Sequence, residues 1–336
     1  MSTNPYVRHD SQIVIGVEDS QGTTVTPTRT VGRLNGDTDM PDPEVDWQEE
    51  RSIDAGSTRE LSGKEPGQNT YEGGSLPVLP HDGLPIALLF GEDSVQTDTG
   101  LDATGSTTSD TGTTLHTMTV NDTDLPPTVT IEATYFGRGS GGEDFVRTFA
   151  GATPPSGTIS TDNESRLQCE MDMLAMGVSP GTSPTTGISE PSRSPWLFHD
   201  VESDLSIAGT SYARLTNFEI EITTNISPEH YIAAASGADP YEILYGNIEY
   251  EISATIKPTD KSLYQSVLDR DDSGTMNIQF ARDGGGDRLR FEGDRIGLSE
   301  APYSFPEEGA PEVDVTITPD SLKCLVEDQQ ATEAYV

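Results

Sequence analysis

Lysine is almost missing from this sequence. Only Lys64, Lys257, Lys261 and Lys323 occur in 336 residues, and lysine plus arginine number 19 against 57 aspartates and glutamates, a formal net charge of −38. Phosphate contacts need clustered basic side chains, so the balance argues against binding driven by nucleic acid and against docking on an anionic membrane. Cysteine is scarce as well. Cys169 and Cys324 each sit in an apolar–polar alternation, which supports neither a disulfide framework nor a Cys-x-x-Cys metal site; buried free thiols are expected. No apolar run approaches membrane-spanning length, the longest candidate being Leu84–Phe90. The start Met1-Ser-Thr-Asn-Pro lacks the basic-then-apolar pattern of a secretion signal, so a soluble protein made in a cytoplasm is expected.

Apolar content is low at 32%, yet patterned segments are plentiful, which separates this chain from ordinary disorder. Dense carboxylates with little lysine read as the surface of a halophile's protein, where molar salt screens mutual repulsion. The central pattern lies in residues 215–282. Phe218, Ile220 and Ile222 alternate with Asn217, Glu219 and Glu221, and Tyr250, Ile252, Ala254 and Ile256 alternate with Glu249, Glu251, Ser253 and Thr255. That period belongs to strands with one buried and one wet face. An amphipathic helix is expected over residues 259–270, able to cover the apolar face, followed by a strand with Met276, Ile278 and Phe280 on one side.

Elsewhere the chain divides by composition. Residues 1–80 read as a polar arm, a strand at 12–17 and a long extended region; residues 23–68 are rich in Thr, Gly, Pro, Asp and Glu with little regular period, and hold Val45 and Trp47 as interface candidates. Residues 81–176 form a first β-rich half. It opens with a short helix at Leu84–Phe90, with proline in its first turn and Gly91 past its end, and continues through a loop at 94–112 into strands. Residues 177–194 are a Ser/Pro/Gly/Thr-rich loop, 195–328 a second β-rich half, and 329–336 a polar tail. The class is mainly β with short packing helices and long loops or arms, a sandwich or barrel.

The motifs carry little chemistry. Gly137-Arg-Gly-Ser-Gly-Gly142 fits a dinucleotide spacing, but a strand rather than a helix is expected after it, so a hairpin loop is the better reading. Asp269-Arg-Asp271-Asp-Ser273-Gly274 starts like a calcium loop, but the twelfth position is Phe280 rather than a bidentate glutamate. The histidines 9, 81, 116, 199 and 230 are scattered, and no nucleophile elbow occurs. No catalytic group, cofactor or metal site is assigned, and the chain is read as a non-enzyme.

The order of elements resembles the tail tube proteins of long-tailed, non-contractile (siphovirus-type) viruses. The resemblance rests on layout: the acidic arm leading to Leu84 and Gly91, then Leu115-His-Thr-Met-Thr-Val120, Leu125-Pro-Pro-Thr-Val-Thr-Ile-Glu132, Phe149-Ala-Gly151, and above all residues 215–226, 248–256, 259–270 and 275–280. With the halophile composition it implies a virus of a haloarchaeal host. The family implies β-sandwich subunits in stacked six-fold rings, contacts with other tail and neck proteins, and a lumen that passes DNA during genome delivery without specific binding. The subunits would be made in the host cytoplasm and reside in the virion tail. Glu219, Glu221, Glu249 and Glu251 are then the lumen-lining candidates. The long material at 23–68 and 177–194 leaves open one or two tube folds per subunit. The alternatives are a β-sandwich binding module for glycans or surfaces, or another virion component such as a tail-terminator or capsid decoration protein.

Overall fold

A computed structural model describes residues 11–34, 37–50, 63–121, 125–137, 142–190, 193–197, 201–232, 237–258, 261–270, 273–282, 287–302, 311–329 and 331–336. His9, His199, Asp271, the middle of the Gly137–Gly142 motif (138–141) and residues 259–260 lie outside the described residues.

The N-terminal strands are β1 (Ser11–Val17), β2 (Arg33–Leu34), β3 (Pro43–Glu50), β4 (Gly63–Tyr71) and β5 (Gly74–Leu79). Helix α1 (Leu84–Phe90) leads into β6 (Gly91–Leu101), β7 (Thr107–Val120), β8 (Val129–Tyr135), β9 (Phe145–Ala152), β10 (Ser156–Asp162), β11 (Gln168–Met173) and β12 (Gly177–Gly181). Next come β13 (Val201–Ile207), β14 (Thr210–Tyr212), β15 (Leu215–Thr223), β16 (Ser227–Glu229), β17 (Glu242–Leu244) and β18 (Glu249–Ile256). Helix α2 (Ser262–Asp269) precedes β19 (Gly274–Arg282), β20 (Asp287–Glu300) and β21 (Val313–Asp328). The chain is mainly β, in several sheets without a closed barrel among the described residues, consistent with a sandwich.

The main sheet runs β14-β13-β19-β20-β21-β18-β15-β10-β11-β5-β2, so strands from either side of residues 177–194 are hydrogen-bonded neighbours. Strand β21 is its branch point. Val313 to Ile317 pair with β18, Cys324 to Asp328 pair with β7, and β20 runs along the opposite edge. A second sheet, β1-β8-β9-β12, lies apart from it in hydrogen bonding but shares its core: Ile15, Ile131 and Phe149 belong to one apolar cluster with Ile220, Ile252 and Ile317.

Helix α1 is buried at every residue and rests on the main sheet. Phe90 stacks on Tyr250 of β18 at 6.4 Å, and Leu89 packs so close to Gly157 of β10 that a Cβ there would fall 2.6 Å from it. The Asp82 carboxylate accepts from the Leu84 amide at 3.1 Å to start the helix. Gly91 ends it at φ 90°, left-handed backbone that glycine adopts without strain, and the Tyr245 hydroxyl fills the space a side chain would need.

Several loops expected from composition are strands. Residues 43–50 and 63–71 form the β3–β4 hairpin, and the 94–112 region is the outer part of the β6–β7 hairpin. Both lack an alternating pattern because both of their faces meet solvent over much of their length. The segment 177–194 begins with β12, paired to β9, and residues Val313–Asp328 form one continuous strand, β21. Helix α2 does not cover the sheet as expected: it buries only Leu263 and sits beside β20, while α1 occupies the apolar face near β18. The C-terminal tail is docked. Tyr335 is buried, its hydroxyl donates to Asp328 at 2.5 Å, and its amide donates to Asp93 at 2.8 Å.

Candidate functional site

Five neighbouring strands, β11, β10, β15, β18 and β21, present one continuous polar face, and the cross-strand register shows how it is made. Glu170 faces Thr158, Thr158 faces Glu221, and Glu221 faces Glu251. In the next row Ser160 faces Glu219, Glu219 faces Ser253, and Ser253 faces Thr316. On the other side of that first row, Ser156 faces Thr223 and Thr223 faces Glu249. At the far end Asp162 faces Asn217, Asn217 faces Thr255, and Thr255 faces Asp314. Side chains alternate between faces along each strand, so the intervening Ile159, Phe218, Ile220, Ile222, Ile252, Ala254 and Val315 all point into the core.

Glu219, Glu221, Glu249 and Glu251 therefore share one face, as their alternation required. Glu221, Glu249 and Glu251 are exposed and Glu219 is half-buried. The register adds Glu170, Asp172, Asp162 and Asp314, which sequence reasoning did not assign. Which face of β11 joins the row of Glu221 depends on pairing across distant segments. Among the paired residues of these rows, 156–162, 168–173, 215–223, 249–256 and 313–317, there is no lysine or arginine; Lys257, just past β18, pairs with Glu312 at 3.3 Å, and Lys323, farther along β21, pairs with Glu292 at 2.6 Å. Hydroxyls partner some carboxylates: Ser156 donates to Asp172 at 2.5 Å, Ser75 to Glu170 at 3.2 Å, and Thr255 to Asp314 at 2.8 Å. Where β21 leaves β18, Glu221, Glu249, Glu251, Pro319 and Asp320 line an open cleft of about 450 Å³. A surface of this kind repels polyanions and offers them no counter-charge to exchange for condensed cations.

Val45 and Trp47 both lie on β3. Trp47 is 48% exposed and carries the Lys64 ammonium over its ring at 4.8 Å. The hairpin is fixed at its base, where Asn69 and Tyr71 both donate to the Asp239 carboxylate, at 2.7 and 2.6 Å.

Two other polar clusters tie elements of the fold together. Buried Glu18 accepts from Thr128, Thr130, Gly22 and Gly151, at 2.6 to 3.0 Å, and so ties β1 to β8 and β9. The His116 ring donates or accepts at Nδ1 with Asp93 at 2.8 Å and lies 4.4 Å from the Tyr335 ring. Burial alone would lower the His116 pKa, but the Asp93 carboxylate and the Ala331 carbonyl outweigh it and hold it above the ordinary imidazole value. Among the described residues no group of three or more His, Cys, Asp or Glu is placed to hold a metal. After Gly137 the chain returns as strand β9, not a helix, and Gly137 N donates to Asp144 at 2.8 Å, a hairpin arrangement. No described helix is long and apolar enough to cross a membrane.

The family model of phage tail tube proteins matches residues 8–320. The chain belongs to the phage tail tube protein family. Curated proteins gave no match. As a tail tube protein it is a structural component of the virion tail, of a family that assembles into an oligomeric tube with other tail proteins.

Proposed function

We propose that this tail tube protein forms hexameric rings that stack into a siphovirus-type tube, and that the carboxylate face of β11, β10, β15, β18 and β21 lines its bore. The observation that carries this reading is the set of rows joining Glu170, Glu219, Glu221, Glu249 and Glu251 with no cation among them. DNA sliding past such a wall finds no phosphate contacts and is not retained. Like charges directly opposite each other weaken a sheet, so the arrangement costs stability and calls for a functional return. Molar salt shortens the Debye length to about 3 Å and relieves that cost, which suits the virus of a haloarchaeal host. On the same reading the β3–β4 hairpin, with Val45 and Trp47, reaches a neighbouring ring.

Electron cryomicroscopy of the purified protein in molar salt tests this. Six-fold rings or tubes are expected, with Glu219, Glu221, Glu249 and Glu251 on the inner wall. A strict monomer, or a particle carrying those four side chains on its exterior, overturns the reading.

A further inference from the structure

Strands β3 and β4 form a two-stranded sheet of their own, paired with no other strand among the described residues. Most of their side chains meet solvent, Trp47 among them. A lone hairpin is marginally stable in water, so its geometry is inherited from whatever holds its base. Backbone bonds hold the feet of the ribbon. Asp39 and Ser75 exchange hydrogen bonds at 3.0 and 2.9 Å, and the Ala175 amide donates to the Tyr71 carbonyl at 2.9 Å. Direction is a separate matter. The eight residues of β3 reach about 26 Å, so a tilt of about 10° at the feet moves the far end by roughly 4.5 Å.

Two side-chain tethers restrain the legs. On the β3 leg, Asp42 stands immediately before the strand and accepts from one Arg147 guanidinium nitrogen with both carboxylate oxygens, at 2.5 and 2.6 Å. Arg147 is itself held, 5.6 to 5.8 Å from the rings of Tyr135, Phe145 and Phe149, so little side-chain freedom is lost in making the pair. On the β4 leg, Asn69 and Tyr71 donate to Asp239, and the Asn69 backbone N–H donates to the Ala238 carbonyl at 2.9 Å. Burial, and then the Asp239 carboxylate, push the Tyr71 hydroxyl up to about 12, so it stays a donor. The anchors belong to different parts of the molecule: Arg147 to β9 in the second sheet, Asp239 to the segment leading into β17. Molar salt has a Debye length of about 3 Å, longer than these contacts, and leaves them largely in place.

We propose that Asp42 and Asp239 are positioning residues for assembly: together they fix the angle of the β3–β4 ribbon, and that angle lets the ribbon of one copy meet the next. Each tether ties one leg to a separate anchor, so the pair removes a tilt that either alone would allow. With both gone, the ribbon keeps its feet but no longer points one way. Interfaces are packed as densely as protein interiors, so a far end displaced by several ångströms misses its contact. The proposal rests on the tube-forming reading above, in which the ribbon reaches a neighbouring ring, and adds what aims it.

Trp47 reports the ribbon's motion directly, because the other tryptophan, Trp196, is fully buried and moves with the body. Asp42→Ala, Asp239→Ala, their combination and Asp239→Asn are compared with wild type in molar salt. Time-resolved fluorescence anisotropy is read on unassembled subunits, and electron microscopy after assembly. In the double variant the fast, nanosecond part of the decay is expected to at least double while the slow part, set by whole-body tumbling, stays unchanged. Its tubes are expected to give way to single rings or short stacks. Asp239→Asn keeps an acceptor oxygen for Tyr71 and is expected to behave as wild type in both readouts. Should the double variant not fold, Asp42→Ala, which removes an exposed carboxylate, carries the same comparison. A wild-type decay in the variant without tethers overturns the proposal. A loosened Trp47 in tubes of wild-type length also overturns it and leaves the tube reading standing. Wild-type protein that never assembles overturns both.

Discussion

Glu221 of β15 and Glu251 of β18 are direct cross-strand partners on an exposed face, with Thr158 on the far side of Glu221. Like charges so placed destabilise a sheet, and salt screening decides by how much. Glu221→Gln is therefore expected to raise stability by about 0.5 kcal/mol at low salt and by nearly nothing in molar salt. Denaturant unfolding of both proteins across a salt series measures this. A gain independent of salt would mean that the two carboxylates do not interact by charge.

The other side of the same strand makes the opposite demand. Ile220 is fully buried and paired with Ile159 and Ile252 on its two flanks. Ile220→Ala removes buried surface and leaves a cavity that α1 and the neighbouring strands cannot collapse without shifting, a loss of about 2–5 kcal/mol. Equilibrium unfolding in molar salt reads it. A loss below about 1 kcal/mol would place this side chain outside a tightly packed core.

These two positions mark what a single chain discloses about itself. Phe218, Ile220 and Ile222 could be assigned to one face because the period is local, and the strands with one wet side were found this way. Leu84–Phe90 was readable from its proline and from Gly91. The β3–β4 hairpin was not, since Trp47 and Val45 sit on a ribbon wet on both sides and give no alternation. Glu170 was missed for another reason: its place beside Glu221 is set by β10 pairing with both β11 and β15, a non-local choice that no window of sequence contains. The docked C-terminus was hidden likewise, because Tyr335 meets Asp93 and His116 across more than 200 residues.

That docking gives a pH dependence with a definite sign. His116 has its pKa raised in the fold, against the pull of burial, by Asp93, the Ala331 carbonyl and the more distant Asp328. A raised value means that the stability it contributes is complete below the unfolded imidazole value, about 6.5, and is lost as pH rises through the folded value. Amide exchange at Tyr335, whose N–H is held by Asp93, should therefore become less protected than base catalysis of exchange alone explains as pH climbs above that point. In His116→Gln the extra pH dependence should vanish. If it persists, the titrating group lies elsewhere.

Burial pushes the Cys169 thiol up to about 12, and Cys324 is raised well above its ordinary value for the same reason. Neither carries an appreciable thiolate fraction near neutral pH, and neither is reachable. The folded protein should leave an aromatic disulfide reagent unreacted for as long as it stays folded, with both thiols titrating once denaturant is added. Rapid labelling of a native thiol would mean that β11 or β21 opens locally at low cost.

The bore itself can be tested by changing its sign. Replacing Glu219, Glu221, Glu249 and Glu251 with lysine puts cations on the rows that have none. If those rows face the passage for DNA, variant tubes should retain double-stranded DNA that wild-type tubes let go. Retention should fall steeply with added salt, because each phosphate contact releases condensed counterions. The comparison belongs at the lowest salt at which tubes persist, since in molar salt the difference should collapse. Wild-type and variant tubes that retain DNA equally there would mean that the four side chains lie away from the passage. A variant that assembles but binds DNA only on its outer wall, seen by microscopy, would place the face on the exterior.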